Sequence, residues 1–475
     1  MSNTDIQIAL DAVAQRVPEA VRISEGVWDT PELCFNEHAA VALQIDYLEK
    51  QGFRIERNVA GMATAFTAEV GEEGPVIAFL GEYDALPSLS QEAGAVQAKP
   101  VVAGGNGHGC GHNLLCGGTV LAAVALKDIL ASKAIKARVR YYGCPAEEGG
   151  SGKTFMARAG AFDDADVALN WHPACFTAVK AYQSLAVLRV KFRFQGQASH
   201  ASAAPHLGRS ALDAVELMNV GSNYLREHIP PGCQLHYAIT DAGGPFPNVV
   251  QAQAEVIYYI RSESVVDAST LQERVEQVAQ GAALMTGTRV EIVPDYSCSN
   301  VIYNSVLDEL LYEHIQRFGE VEFDDDDRAY ATALRRSFSE EQIRYGLEKF
   351  QAPIGKDEPL SNRVIPRAAQ LWAGSSDVGD VSWVTPTVSL YGACYAIGTE
   401  FHTWQMVTQG KSPAAHKGMA HAAAIMVSTA LDIIARPQTV RQAKSELLEK
   451  RGHQPYRCPI PGSLQPPMAA QDRAA

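Results

Sequence analysis

Three strand-like runs in the first half of this chain each end on groups that can hold a cation, and that repetition constrains the fold more than any other feature. Val76 to Gly81 runs into Glu82-Tyr83-Asp84-Ala85-Leu86-Pro87. Ala137 to Tyr142 ends in Gly143-Cys144-Pro145-Ala146-Glu147-Glu148-Gly149-Gly150, and Ala165 to Asn170 runs into Trp171-His172-Pro173. A short buried strand that stops in polar, turn-forming residues marks the carboxyl edge of an α/β sheet, where sites collect. Taken singly, each end has an ordinary explanation. Glu82 and Asp84 fit loop and cap chemistry as well as groups that orient a ligand. Glu147-Glu148 fits a solvated acidic turn, and a lone His after a strand is more often structural. The same placement three times over favours one shared site.

A fourth segment adds softer donors. Gly105-Asn106-Gly107-His108-Gly109-Cys110-Gly111-His112-Asn113 stands directly before the apolar run Leu114 to Leu130, which reads as a helix. Thiolate and neutral imidazole are the usual ligands of zinc-like ions, and glycine lets backbone fold tightly round one. The adjacent Glu147 and Glu148 carboxylates repel each other unless a cation or proton intervenes. One can coordinate a metal while its neighbour holds the attacking water as general base. Gly150-Ser151-Gly152-Lys153-Thr154 imitates the end of a phosphate-binding loop. The position that should carry that motif's first glycine is Glu147, and the acidic pair would repel phosphate, so the nucleotide reading is rejected.

From Leu185 the pattern changes to β-α-β-β-α-β: strands at Leu185 to Phe194, Cys233 to Thr240, Ala252 to Arg261 and Thr288 to Pro294, with helices at Ser210 to His228 and Ala268 to Thr286. That order predicts a ferredoxin-like unit inserted into a larger α/β domain, serving as lid or dimerisation module. The expected division is 1–183 and 298–436 for the larger domain, 184–297 for the insert, and 437–475 for a polar, peripheral tail. Residues 5–20 and 37–52, Ser305 to Phe318, Ser339 to Phe350 and Ala414 to Ile434 read as helices. The acidic run Glu322 to Asp327 reads as a solvated loop. In 475 residues two domains are expected. The net charge of −14 disfavours nucleic acid, and nine irregularly spaced cysteines fit a reducing cytoplasm. No secretory leader is evident at the N-terminus, and apolar runs are interrupted short of a membrane span.

With these residues in place the chain resembles the co-catalytic metallopeptidase family of aminoacylases, carboxypeptidases and amino-acid amidohydrolases (clan MH), in the branch whose C-G-H motif supplies metal ligands. The matching features, in order, are Cys110-Gly111-His112, Glu147-Glu148, His172, the insert with Gly196, Ser199-His200, Pro205 and Gly208, and a late His402. Further likeness lies in Ser376-Asp377-Val378-Gly379-Asp380-Val381-Ser382-Trp383 and in His402-Thr403-Trp404-Gln405-Met406-Val407. The resemblance spans about residues 5–435 and implies a large metallopeptidase-type α/β domain with the inserted lid. It implies Cys110, His112, Glu148, His172 and His402 as ligands of two divalent ions, zinc or manganese, and Glu147 as the base. It gives His200 the oxyanion across a dimer, and Arg261 with Asn248 the substrate carboxylate.

The sequence departs from the family in two places. Gly81-Glu82-Tyr83-Asp84 stands where G-H-x-D is usual, and Asn113 follows C-G-H where Asp is common, so the division of ligands between the ions stays open. His108 and His416 are spare candidates. The implied activity is hydrolysis of the amide of a small N-acyl amino acid, for example p-aminobenzoyl-glutamate to p-aminobenzoate and glutamate, by a homodimer or a heterodimer with a related subunit. The rivals are another acyl-amino-acid or dipeptide specificity, or a partner subunit inactive alone. A zinc nucleobase deaminase is set aside, because the H-x-E and P-C-x-x-C pairing is missing.

Overall fold

The computed structural model describes residues 3–467 apart from 181, 350, 351, 353, 354, 362, 367–369, 372 and 373. Its larger sheet has seven strands in the order Arg54–Arg57, Phe66–Val70, Arg138–Cys144, Val76–Glu82, Val167–Ala174, Thr387–Ala393 and Ala178–Val179. The central strands run parallel: Val76–Glu82 pairs with Arg138–Cys144 and Val167–Ala174, and Thr387–Ala393 pairs with Val167–Ala174. Every residue of Val76–Glu82 and of Val167–Ala174 is buried. That burial on both faces is why these strands read as continuous apolar runs rather than alternating ones.

Two helices buried almost all round pack on this sheet and on each other, His112–Ser132 and Pro413–Ala435. Both are long and apolar enough to cross a membrane, beyond what the interrupted apolar runs suggested. Within the protein 83% of each apolar window is buried, so they are core helices.

The smaller sheet is antiparallel, in the order Arg289–Cys298, Ala186–Gln195, Gln253–Ser262, Gln234–Asp241, and carries the helices Ala211–Leu225 and Val265–Thr286. This is the β-α-β-β-α-β unit expected from the sequence, with its own apolar core of residues such as Phe192, Val215, Tyr258 and Val275. Ser210 and Ser264 cap its two helices through their side chains, and Gly287 ends the second at φ 65°.

Two expectations are corrected. Residues 5–20 form no single helix: Asn3–Ala14 and Val17–Asp29 are separate, because Pro18 cannot donate its missing N–H and starts a new helix. The acidic run is no solvated loop, since Asp325–Arg335 is a helix. Asp324 and Asp327 close a capping box at its start, and Lys417 pairs with both at 2.6 Å. After 437 the chain packs against the rest of the molecule. Pro437–Lys450 is a helix that buries Ala443 and Leu447, and Tyr456 donates to Asp380 at 2.7 Å. Residues 468–475 lie outside the described residues.

Candidate metal centre and active site

The carboxyl edge of the large sheet gathers the groups. Glu82 ends one central strand, Glu147 and Glu148 follow the next, His172 lies within the third, and His402 lies in the loop after the fourth. Cys110 and His112 enter through the turn before the His112–Ser132 helix, whose N-cap Gly111 has φ 77°. A Cβ on Gly111 would collide with the Tyr395 hydroxyl, so only glycine fits there. The backbone N–H of His402 donates to Gly109 O at 2.7 Å, locking the late histidine to this turn. His402 itself sits at φ 62°, a strained conformation for a side-chain-bearing residue and one that cores do not keep without reason.

Donor atoms converge in three overlapping groups, the atoms within each lying within 4.8 Å of one another: Cys110, His112 and His172; Cys110, Glu148 and His402; and Glu82, His112 and Glu147. Cys110 Sγ is 3.4 Å from His172 Nε2, and His402 Nε2 is 3.3 Å from Glu148 Oε2. Each inner imidazole has its far nitrogen committed. His172 Nδ1 donates to Pro173 O at 2.9 Å, and His112 Nδ1 donates to Asp84 Oδ1 at 2.9 Å. Both rings therefore turn Nε2 towards the same thiol, the tautomer a metal ligand needs. Glu148 Oε1 is buried and makes no hydrogen bond, and the buried His112 Nε2 lies 3.4 Å from the Glu82 carboxylate, outside hydrogen-bond geometry. Unpaired donor atoms this deep cost free energy unless something meets them. The soft thiol, the imidazoles and the carboxylate together suit a divalent ion, so these residues fit the metal that the sequence resemblance implies.

Charge in the site points the same way. Burial, then Glu82, Glu148 and Asp377, hold the Glu147 carboxyl well above its ordinary range. Burial lowers His172 well below the usual imidazole value, helped by Lys180, which keeps it neutral. Hydrogen bonds to Cys110 and Glu148 raise His402 to about 10. An excess of carboxylates around two neutralisable rings is an environment built for cations.

Asp84 knits this cluster together. Its second oxygen accepts the backbone N–H of Glu148 at 2.8 Å, so one buried carboxylate orients both His112 and Glu148. Lys153, set aside with the phosphate-loop imitation, is fully buried. Its ammonium pairs with Glu82 at 2.8 Å and Asp377 at 2.7 Å, balancing two of the carboxylates. Glu37, which no local pattern singles out, is buried and accepts the Ala146 N–H at 2.8 Å, just before the Glu147-Glu148 turn.

A pocket of about 300 Å³ opens over the cluster, lined among others by Cys110, Glu147, His172, Lys180, Arg261 and His402. Arg261 thus reaches the site, where it donates to Ser375 Oγ at 2.6 Å. His200 and Asn248 do not line it; both are exposed on the smaller sheet's flank, with Ala201 N–H donating to Asn248 O. His108 and His416 stand aside as well. His108 Nε2 donates to Val27 O, and His416 lies 3.9 Å from Glu25.

A model of peptidase family M20/M25/M40 matches residues 78–403. A p-aminobenzoyl-glutamate hydrolase subunit of Escherichia coli (strain K12) is 43% identical over 473 residues, covering 97% of this chain and 98% of its own. The Xaa-Arg dipeptidase of Mus musculus is 30% identical over 466 residues, 94% of this chain and 93% of its own. Among solved structures, a dinuclear metal-binding peptidase of the M20 family from Bacillus subtilis has a TM-score of 0.54. It is 18% identical and covers 87% of this chain and 99% of that one, a likeness of fold.

Proposed function

This chain belongs to peptidase family M20/M25/M40, and from that premise we propose that it cleaves the amide bond of p-aminobenzoyl-glutamate, yielding p-aminobenzoate and glutamate. The observation that carries the reading is that two donor groups meet at Cys110, so ligand atoms that could hold neighbouring divalent ions lie side by side at one sheet edge. Cys110, His112, Glu148, His172 and His402 are the proposed ligands. The thiolate and imidazoles suit zinc, and the carboxylate also admits manganese. A second reading, cleavage before a cationic residue as in the Xaa-Arg dipeptidase, is disfavoured by the two cations Arg261 and Lys180 in the pocket.

In the proposed mechanism Arg261 holds the substrate's α-carboxylate and presents the scissile carbonyl to the cluster. Divalent cations, when bound, polarise that carbonyl and lower the pKa of water from about 16 towards about 7. Glu147, crowded by carboxylates and held above its ordinary pKa, takes the proton of the attacking water and delivers it to the leaving nitrogen. Asp84 keeps His112 and Glu148 aimed while charge shifts. The exposed His200 and Asn248 act on a neighbouring subunit's site, His200 at the oxyanion. That gives a dimer, of two copies or with a related subunit, as the working assembly. Nine free cysteines support a reducing cytoplasm as its location.

Purified without chelator, the protein is expected to carry divalent metal and to release glutamate from p-aminobenzoyl-glutamate, alone or with its related subunit. Release of arginine from Xaa-Arg dipeptides at a higher kcat/KM would overturn the substrate assignment.

A further inference from the structure

The pocket over the cluster contains two side-chain cations on different elements. Arg261 lies near the end of the Gln253–Ser262 strand, tethered to Ser375 and seated 5.5 Å from the centroid of the Tyr259 ring. Lys180 follows the Ala178–Val179 strand, and its backbone N–H donates to Ser389 O at 2.8 Å, fixing it to the large sheet. Its ammonium lies over the Tyr391 ring, 5.3 Å from the centroid, and Tyr391 is the register partner of His172. Both pocket cations thus lie over aromatic faces, Lys180 over Tyr391 and Arg261 over Tyr259. The chain as a whole carries a net charge of −14, so this pairing runs against its background.

The carboxylates lining the same pocket, Glu147 and Glu148, belong to the candidate metal-donor groups described above, where a bound divalent ion would meet their charge. An amino acid released from an amide offers one α-carboxylate, which a single cation satisfies. A second cation is complementary to a second anion on the same residue. A leaving residue with a cationic side chain meets repulsion instead.

Resting on the amidohydrolase reading above, we propose that Lys180 is a specificity-determining residue that receives the side-chain carboxylate of a dicarboxylic leaving residue, while Arg261 receives its α-carboxylate. A neutral isostere such as glutamine keeps the shape and loses the charge-assisted contact.

The test uses the metal-loaded enzyme, wild type and the variants Lys180→Gln and Lys180→Arg, with p-aminobenzoyl-glutamate and p-aminobenzoyl-glutamine as substrates. A charge-assisted hydrogen bond of this kind predicts a wild-type preference for glutamate of about tenfold or more in kcat/KM. Lys180→Gln is expected to bring the two substrates to within about threefold by raising KM for glutamate only, and Lys180→Arg to retain the preference. An undiminished preference in Lys180→Gln overturns the proposal. Should the wild type cleave neither substrate, the amidohydrolase reading falls while Lys180 remains testable through calorimetric binding of free glutamate and free glutamine. A glutamate preference that Lys180→Gln abolishes supports the proposal, and equal wild-type affinities overturn it.

Discussion

Replacing Asp84 by asparagine changes two atoms and tests how the centre is held. The Asp84 carboxylate is 1% exposed and faces three donors, the Nδ1–H of His112 at 2.9 Å, the backbone N–H of Glu148 at 2.8 Å and the Cys34 thiol at 3.5 Å. Asparagine offers one acceptor oxygen and one NH2, so one of those donors must face another donor. Leaving a buried donor unpaired costs about 1–3 kcal/mol. At about 1.4 kcal/mol per factor of ten, the affinity of the centre for a divalent ion should fall about 10- to 100-fold, the usual consequence of losing an outer partner of a metal ligand. A competition titration of metal-stripped protein against a chromogenic chelator reads this directly, with urea unfolding of the same samples as a control. Wild-type metal affinity in Asp84→Asn would refute the assignment of Asp84 as the group that orients His112 and Glu148.

Other outcomes follow from the same geometry. Glu147→Ala should keep its metal content while turnover falls by about 10²-fold or more, measured at saturating metal; loss of metal would make Glu147 a ligand. Lys153→Met leaves Glu82 and Asp377 buried without their cation and should destabilise the fold by about 3–5 kcal/mol in urea titrations, a loss partly recovered by adding Asp377→Asn. Burial, then Asp84, raises the Glu37 carboxyl to about 8. The folded state thus retains a proton that the unfolded chain releases near its ordinary value of about 4.3, and stability from this group drains away as pH rises from about 4 to 8. Glu37→Gln should flatten that slope, on the order of a few kcal/mol, and an unchanged slope would exclude Glu37 as its source.

Much of the molecule is legible in its residues because the strongest signals are local. The runs ending in Glu82 and in His172 are strands buried throughout, and the run before Glu147-Glu148 is a strand whose Arg138 and Arg140 stay half-buried. Ser210 and Gly287 mark helix ends as capping chemistry requires. What escapes is set by distance along the chain. Lys153 sits in a segment that imitates a phosphate loop, and its partner Asp377 is 224 positions away. Glu37 is an acidic residue beside a helix start, indistinguishable in sequence from a solvated one until Ala146 is folded against it. The acidic run at 322–327 misleads because its charge is spent on capping a helix and on Lys417, contacts invisible in composition. His200 and Asn248 came from likeness to the family alone. Both lie in exposed loops between the smaller sheet's elements, and neither lines the pocket of the same chain.

The proposed centre depends on the Cys110 thiol being shared by two donor groups. X-ray absorption at the metal edge of protein purified without chelator tests this most directly. One sulfur neighbour at about 2.3 Å, together with nitrogen or oxygen neighbours and a metal–metal distance, lost together in Cys110→Ala, is the predicted result. A first shell of nitrogen and oxygen only, unchanged in Cys110→Ala, would contradict it.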